Sequence, residues 1–404
     1  MECSVDRAAV LNAVRTLKHV VPTKSVIPVH THTLISANSD LELRATDGDM
    51  SAVCHVPCKT TKAGRAMVPV VDLAKVLAKG PPAVTIRSHN GVLDVATPQS
   101  TVSLPILNPK TDCFPTLVTL PAGGVTLPAK AVREMLGFIA HARSKDETRL
   151  NLAGVYLELH PRKAKKTGAK GAAGREGLVH DLRLTATDGH RLATIERPVT
   201  CAAAIASTIL PARIVAELMG LLKVDVGTWP GITPRPPAPP PSVTKVPEDV
   251  GVQRPGWVHV TYGETLVSHR KIEGEFPDWC QVVPSATKFN HMLVFSQPVM
   301  KTALEAAMNA HARCSHTKGV ALRLKAGKLR ITAECPDGGK ADIAVATSAC
   351  EGTLAVGFNA RYLLDAVDVL PGAGGFYFTD EVSPMLCRCP SESGFMAVVM
   401  PFRL

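Results

Sequence analysis

The chain has 404 residues, more than one ordinary hydrophobic core accommodates, so two to four domains are expected. Hydrophobic residues make up 46% and charged residues 20%, which excludes an intrinsically disordered chain, and aromatics at 4% leave the cores to Val, Leu, Ala and Ile. The net charge of +10 favours a polyanionic partner such as nucleic acid.

In chain order, a short strand at Cys3 and Val5 leads into a helical pattern with apolar positions Val10, Val14, Leu17 and Val21, a spacing of three and four. Strand-like runs come next at His32 to Ser36 and Leu41 to Ala45, then the turn Asp47-Gly48. Met67-Val68-Pro69 opens a second helical pattern through Leu73, Val76 and Leu77, since Pro near a helix start lacks only an N–H that would be unpaired there. Strands around Val84 to Arg87 and Val92 to Ala96 close the segment near Phe114-Pro115.

The second segment repeats the order. A strand at Val125 and Leu127 precedes a helix through Val132, Leu136 and Ile139. Strands are expected over Leu152 to Leu159 and Leu182 to Ala186, then the turn Asp188-Gly189, and Pro211 opens a helix through Ile214, Leu218 and Leu221. The third segment has a strand at Leu293 to Phe295 and a helix through Leu304 and Met308. Strands at Val320 to Leu324 and Leu329 to Ala333 precede Val356 to Asn359 and a helix with Leu363, Val367 and Leu370. The separations Ala45 to Pro69, Ala186 to Pro211 and Ala333 to Phe358 are 24, 25 and 25 residues. Constant spacing of this kind marks an internal triplication of an α+β unit with antiparallel strands and two helices per copy. The expected boundaries are 1–123, 124–284 and 285–404.

Two insertions lengthen the middle copy. One runs from about Pro161 to Gly177 and crowds Arg162, Lys163, Lys165, Lys166, Lys170 and Arg175, a solvated charge run. The other, Trp229 to Gly256, carries PRPPAPPP at Pro234 to Pro241 and reads as a surface loop of polyproline II type.

No P-loop, dinucleotide fingerprint or GxSxG elbow is present, so no enzymatic reading is supported and no cofactor is expected. Eleven cysteines are scattered without a zinc-like set; Cys54 with Cys58, Cys387 with Cys389, and His311, Cys314 and His316 are the nearest approaches. The opening MECSVDRAAV lacks a secretory pattern, and no apolar run approaches the roughly 18 residues of a membrane span, so a cytoplasmic protein is expected.

The densest motif is LTATDGHRLA at Leu184 to Ala193. Asp-Gly between two alternating apolar runs is a hairpin signal, because Gly accepts positive φ without steric cost. The first copy carries LRATDGDM at Leu43 to Met50, so the Asp-Gly pair reads as the shared turn. His190, Arg191 and Leu192 have no counterpart in Asp49, Met50 and Ser51, which places function on those three.

ATDGHRLA, SKDETRLNLAGV (Ser144 to Val155), EGEFPDWCQVVP (Glu273 to Pro284), GFNARYLLDAVDVL (Gly357 to Leu370) and VVMPFRL (Val398 to Leu404) together resemble the bacterial DNA polymerase III β subunit, the sliding-clamp family. The likeness covers nearly the whole chain apart from the insertions. It implies three DNA-clamp units per protomer, antiparallel sheets outside and helices inside, with two protomers forming a homodimeric ring around double-stranded DNA. Such a clamp tethers the DNA polymerase III alpha subunit, the clamp loader, other polymerases and repair proteins through short linear motifs. The helices carry cations on their polar faces: Arg7, Arg15 and Lys18 in the first, Lys130 and Arg133 in the third, Lys301 in the fifth, and Lys75, Lys79 and Arg213 in the second helices of the copies. Phosphate contacts of that kind hold a duplex at any sequence. Lys24, Arg149 and Arg213 match family positions near the duplex.

The resemblance also implies a peptide groove at Leu152, Thr187, Gly189, His190, Arg191, Leu192, Pro277, Val282, Val382, Pro384, Val398, Met400, Pro401, Phe402 and Arg403. Leu152, Leu192, Val282, Val398 and Met400 are expected to form an apolar floor, with His190, Arg191 and Arg403 on a polar rim. Val102 and Leu104 on an edge strand, with Met308 opposite, are the expected protomer contact. Three departures stand out: Gln281 and Pro384 where the family often has Arg and Ser, and the polar run Met308-Asn309-Ala310-His311 at the ring contact. With the basic balance, unusual among clamps, they fit a divergent paralogue. The other reading is a monomeric, clamp-like docking scaffold that does not encircle DNA.

Overall fold

The computed structural model describes residues 1–107, 113–117, 125–126, 129–146, 148–161, 179–200, 207–221, 242–245, 256–262, 264–285, 289–310, 319–325, 327–335 and 338–402. Arg403, the trio His311, Cys314 and His316, and nearly all of the Lys-rich insertion lie outside them. The chain divides into two compact units, which are not consecutive in sequence.

The first unit begins with β1 (Glu2–Asp6), α1 (Arg7–Val20), β2 (His32–Ala37), β3 (Leu41–Thr46), β4 (Met50–Val56), β5 (Cys58–Lys62), β6 (Gly64–Pro69), α2 (Val70–Leu77), β7 (Ala83–His89), β8 (Val92–Ala96), β9 (Thr101–Pro105) and β10 (Val125–Thr126). Helix α1 starts where the sequence pattern places it, because Asp6 caps it by accepting from Ala9 N at 2.8 Å and its apolar stripe, Val10, Val14 and Leu17, is fully buried. The chain then forms α3 (Ala129–Ile139), α4 (Leu150–Ala153), β11 (Val155–Pro161), β12 (Val179–Thr187), β13 (Arg191–Thr200), β14 (Thr208–Leu210) and α5 (Ala212–Leu221). It continues with β15 (Ser242–Lys245), β16 (Trp257–Tyr262) and β17 (Thr265–Arg270), then β18 (His291–Ser296), α6 (Gln297–Asn309), β19 (Gly319–Lys325), β20 (Lys328–Glu334), β21 (Lys340–Val345), β22 (Ala349–Glu351), β23 (Leu354–Asn359), α7 (Ala360–Asp368), β24 (Ala373–Phe378), β25 (Met385–Cys389) and β26 (Glu392–Val399).

Two sheets build the first unit, ordered β5-β1-β7-β8-β9 and β10-β15-β16-β17-β4-β3-β2-β6. Two more build the second, ordered β14-β11-β12-β13-β26-β25-β24-β18-β22 and β21-β20-β19-β23. The strand pairs within them are antiparallel. The expected middle segment supplies strands to both large sheets: β17 pairs with β4 (Val267 opposite Ala52) and β13 pairs with β26 (Leu192 opposite Val398). The repeat is visible in the element order, since a strand runs straight into a helix at β1–α1, β6–α2, β18–α6 and β23–α7.

Three expectations are corrected. The strand expected from Leu152 starts only at Val155, because Leu150–Ala153 forms a helical turn in which Leu152 and Ala153 donate to Arg149 O. The Pro-rich insertion is not wholly a loop, since Ser242–Lys245 forms β15 and pairs with β10 and β16. The cores are not uniformly aliphatic. Leu17, Ile35, Leu41, Leu43, Met50, Met67 and Leu73 fill the first unit, whereas Phe295, Phe358, Phe376, Phe378 and Phe395 are fully buried in the second. Each such ring contributes roughly 1.5–3 kcal/mol of burial, about as much as a buried Leu or Met. Among the described residues no helix is long and apolar enough to cross a membrane, and the nine cysteines there are free thiols.

Candidate docking groove and cationic helix faces

The site grows from a hairpin built twice with the same bonds. In the first copy Thr46 Oγ1 donates to Met50 O at 2.9 Å, Gly48 N donates to Thr46 Oγ1 at 3.1 Å, and Met50 N donates to Asp47 Oδ1 at 2.7 Å. In the second copy Thr187 Oγ1 donates to Arg191 O at 2.7 Å, Gly189 N donates to Thr187 Oγ1 at 3.2 Å, and Arg191 N donates to Asp188 Oδ1 at 3.0 Å. Gly48 and Gly189 have φ of +97° and +88°, a conformation open to Gly at the first central position of a hairpin turn. Thr187 and Gly189 therefore shape the turn. The Thr187 hydroxyl is spent on it and buried.

Beyond the turn the two copies diverge. In the second, Leu192, with Val398 opposite on β26 and Leu386 beyond it on β25, forms a row sealed by Trp279, and Tyr156, Phe276, Val283, Phe289, Tyr377 and Met396 pack around it. The short 3-10 turn Trp279–Val282 is capped by Asp278, which accepts from Cys280 N at 3.2 Å. Phe276 stacks on Tyr156 at 4.8 Å, and the Arg183 guanidinium lies 5.3 Å over Trp279. Residues 276–285, with Phe289, thus form a strap across the β13–β26 seam.

The ATDGHRLA and VVMPFRL motifs meet here, with Met400 N donating to His190 O at 2.9 Å. Phe402 continues the line, bridging Gly357 and lying on Gly319, where a Cβ would come within 2.6 Å of its ring. On the strap, the β24–β25 loop and the tail after β26, four large apolar side chains remain exposed: Val282 at 41%, Val382 at 72%, Met400 at 39% and Phe402 at 38%. Pro277 is exposed, and Pro384 and Pro401 are half-buried. The open apolar surface therefore differs from the expected floor. Leu192 and Val398 are 3% and 1% exposed and Leu152 is 9%, so they support the surface from beneath, leaving Val282 and Met400 of the expected set accessible.

The three residues after the turn also take separate roles. His190 is exposed, its ring stacked 6.4 Å from Tyr362 of α7. Arg191 is 8% exposed, so it is a buried anchor instead of an open rim contact. Its Nε donates to Asp188 Oδ2 at 3.0 Å, its Nη1 donates to Asp365 Oδ2 at 2.6 Å, and its guanidinium lies 4.5 Å over the Tyr362 ring. Burial first, then Asp188, pushes the Tyr362 phenol up. Tyr362, Asp365 and Trp279 were missed as site residues, although GFNARYLLDAVDVL and EGEFPDWCQVVP contain them. Gln281, where the family often has Arg, donates from its amide to Asp278 Oδ2 at 3.0 Å.

The cations sort into two groups. On the first unit Arg15, Lys18, Lys24, Lys75 and Lys79 are exposed. Lys75 pairs with Asp72 at 3.0 Å, and Lys18, Lys24 and Lys79 have no acidic partner among the described residues. Arg7 departs from its expected place on the polar face. It donates to Leu77 O at 2.8 Å and Pro81 O at 3.1 Å, satisfying carbonyls at the end of α2. On the second unit Arg149 is exposed beside Asp146 at 3.7 Å, Arg133 is exposed, Arg213 is half-buried, and Lys301 is paired with Asp368. Lys130 lies on α3, its side chain outside the described residues.

Strand β9 is a sheet edge, with Val102 41% exposed and Leu104 only 8% exposed against its own sheet. Leu104 is therefore mostly core, and Val102 is the open half of the expected pair. Met308 on α6 is half-buried. Among the described residues no group of three His, Cys, Asp or Glu is placed to hold a metal.

Models of the DNA polymerase III beta subunit match at both ends of the chain, its N-terminal domain over residues 1–117 and its C-terminal domain over 281–403. The chain is 28% identical over 415 residues to the beta sliding clamp of Caulobacter vibrioides, covering 100% of both. It resembles the solved DNA polymerase sliding clamp of Caulobacter crescentus at 26% identity and a TM-score of 0.80, covering 100% of both. It also resembles the sliding clamp of Bartonella birtlesii, solved bound to griselimycin, at 25% identity and a TM-score of 0.80, covering 100% of both. Repeated α+β units, matched at both ends of the chain and over the whole fold, are those of a DNA sliding clamp. The chain belongs to the DNA polymerase III beta subunit family.

Proposed function

We propose that the chain works as a processivity clamp of three repeats, 1–123, 124–284 and 285–404, two protomers of which close around duplex DNA. It makes and breaks no bonds. Cations on helix faces and loops hold phosphates without reading bases, which is the condition for sliding. The DNA polymerase III alpha subunit, the clamp loader and repair proteins dock short linear motifs on the surface around His190, Val282, Val382, Met400 and Phe402.

One observation carries the docking reading. ATDGHRLA and VVMPFRL, about 200 residues apart in the chain, lie side by side through Leu192 and Val398 and through the bond from Met400 N to His190 O, with exposed apolar side chains around them. Open hydrophobes on the segments flanking this seam support the reading of a surface that a partner covers.

The experiment is retention on DNA. Clamp loaded onto nicked circular DNA stays bound and runs off when the circle is linearised. Equal loss from both forms overturns the topological mechanism. Native mass supplies the second arm: two chains of 42.8 kDa are expected, and a single-chain species at micromolar concentration leaves a docking scaffold that does not encircle DNA.

A further inference from the structure

The docking surface is apolar at its centre and anionic around it. Glu273, Glu275 and Asp278 on the strap and the residues leading into it, and Asp380 and Glu381 on the β24–β25 loop, are all exposed or half-buried at the surface. Both segments adjoin the seam. The strap continues into Trp279 over the row Leu192–Val398–Leu386, and the loop leads through Val382 into β25, where Met385 is opposite Val399.

Their compensation is neutral. Asp278 accepts from Cys280 N and the Gln281 amide. Asp380 accepts from Val382 N at 2.9 Å, Ser383 N at 2.7 Å and Ser383 Oγ at 3.0 Å, bonds that favour its ionised form and hold its carboxyl below the usual range. Among the described residues none of the five acids is paired with Lys or Arg. Of the cations nearby, Arg191 is occupied by Asp188 and Asp365, Arg183 by Glu196 and Arg149 by Asp146, while the Lys271 side chain lies along Gly256. Arg388, two positions beyond Leu386, is the one cation of β24–β26 without an acidic partner among the described residues.

We propose that this groove selects basic ligands: its occupant is an extended peptide whose apolar anchors are flanked by Lys or Arg, and an acid beside the anchors is disfavoured. The inference rests on the docking reading above and adds the chemistry of the partner. Apolar contacts hold both kinds of peptide alike, whereas the carboxylates act within a Debye length of about 8 Å and discriminate between them.

The test uses the full chain and two fluorescent peptides with the same Leu-Phe anchors, one with two flanking Lys, the other with two flanking Asp. At low salt the Lys peptide binds about tenfold tighter, as two or three exposed charge pairs allow, and the difference collapses in about 0.5 M salt, where screening is short-ranged. The double variant Glu275→Gln, Glu381→Gln loses most of the preference while high-salt affinity is unchanged. Equal affinities at low salt, or preference for the Asp peptide, overturn the selection while leaving the groove standing. Binding of neither peptide overturns the groove reading, and the selection with it.

Discussion

Arg191 and Asp365, 174 residues apart in the chain, meet through a 2.6 Å bond between Nη1 and Oδ2, with side chains 8% and 13% exposed. Asp188 and Arg361 extend the pair, and Tyr362 lies beneath the guanidinium. The second copy's hairpin is thereby fixed to α7 of the third, which sets where His190 is presented. Asp365→Ala strands Arg191 in a buried site with one carboxylate fewer and is expected to cost about 3 kcal/mol. Urea unfolding measures that loss, and motif-peptide affinity should fall with it as the turn loosens. A change below about 0.5 kcal/mol, the range of ordinary surface substitutions, would show that the pair is solvated.

The periodic part of this architecture was readable and the pairwise part was not. Asp47-Gly48 and Asp188-Gly189 announce themselves because a positive φ needs Gly, and the helices α1, α3, α6 and α7 obey apolar spacing. The motif marks Arg191 as an open rim cation, and only Asp365, in another repeat, accounts for its burial. Leu192 and Val398 alternate like residues on an open face, yet Trp279 closes over them. Arg7 fits a polar helix stripe until the end of α2 supplies Leu77 O and Pro81 O. In each case the deciding contact is long-range, which one-dimensional periodicity does not encode.

Removal of Met400 to Leu404 should abolish binding of a polymerase-tail peptide. The cut deletes Met400 and Phe402 from the open apolar surface and breaks the bonds to His190 O and Gly357 O. Fluorescence anisotropy reads the loss directly. A milder variant, Met400→Ala, should weaken binding about tenfold or more, as truncation of an apolar anchor does. Unchanged affinity in the truncated chain would mean that the groove is misplaced.

The salt dependence of DNA binding should separate the two groups of cations. Arg15 and Lys18 are exposed on α1, whereas Lys301 is already held by Asp368. Each phosphate neutralised contributes a slope of about −0.9 in log K against log salt, so Arg15→Ala with Lys18→Ala should flatten the slope by about 1.8. Lys301→Ala should leave it nearly unchanged. The reverse order would place the duplex against α6.

Stability should fall on acidification through His259. This imidazole is fully buried, its Nδ1 sits 2.7 Å from Ser268 Oγ, and Nε2 meets no partner among the described residues. Burial pushes it down from 6.5 to about 4. The fold therefore holds it neutral where the unfolded chain takes up a proton. Its contribution is fully present above pH 6.5 and is lost progressively as pH falls towards 4, by at most roughly 3 kcal/mol. His141 is pushed down to about 4 in the same direction, by burial first and by Arg191 second. His259→Asn cannot titrate and keeps a donor and acceptor for Ser268, so its urea midpoint should depend less steeply on pH in that window, with His141 supplying the remaining slope. An identical pH profile in variant and wild type would show that His259 takes up its proton equally in the folded and unfolded chain.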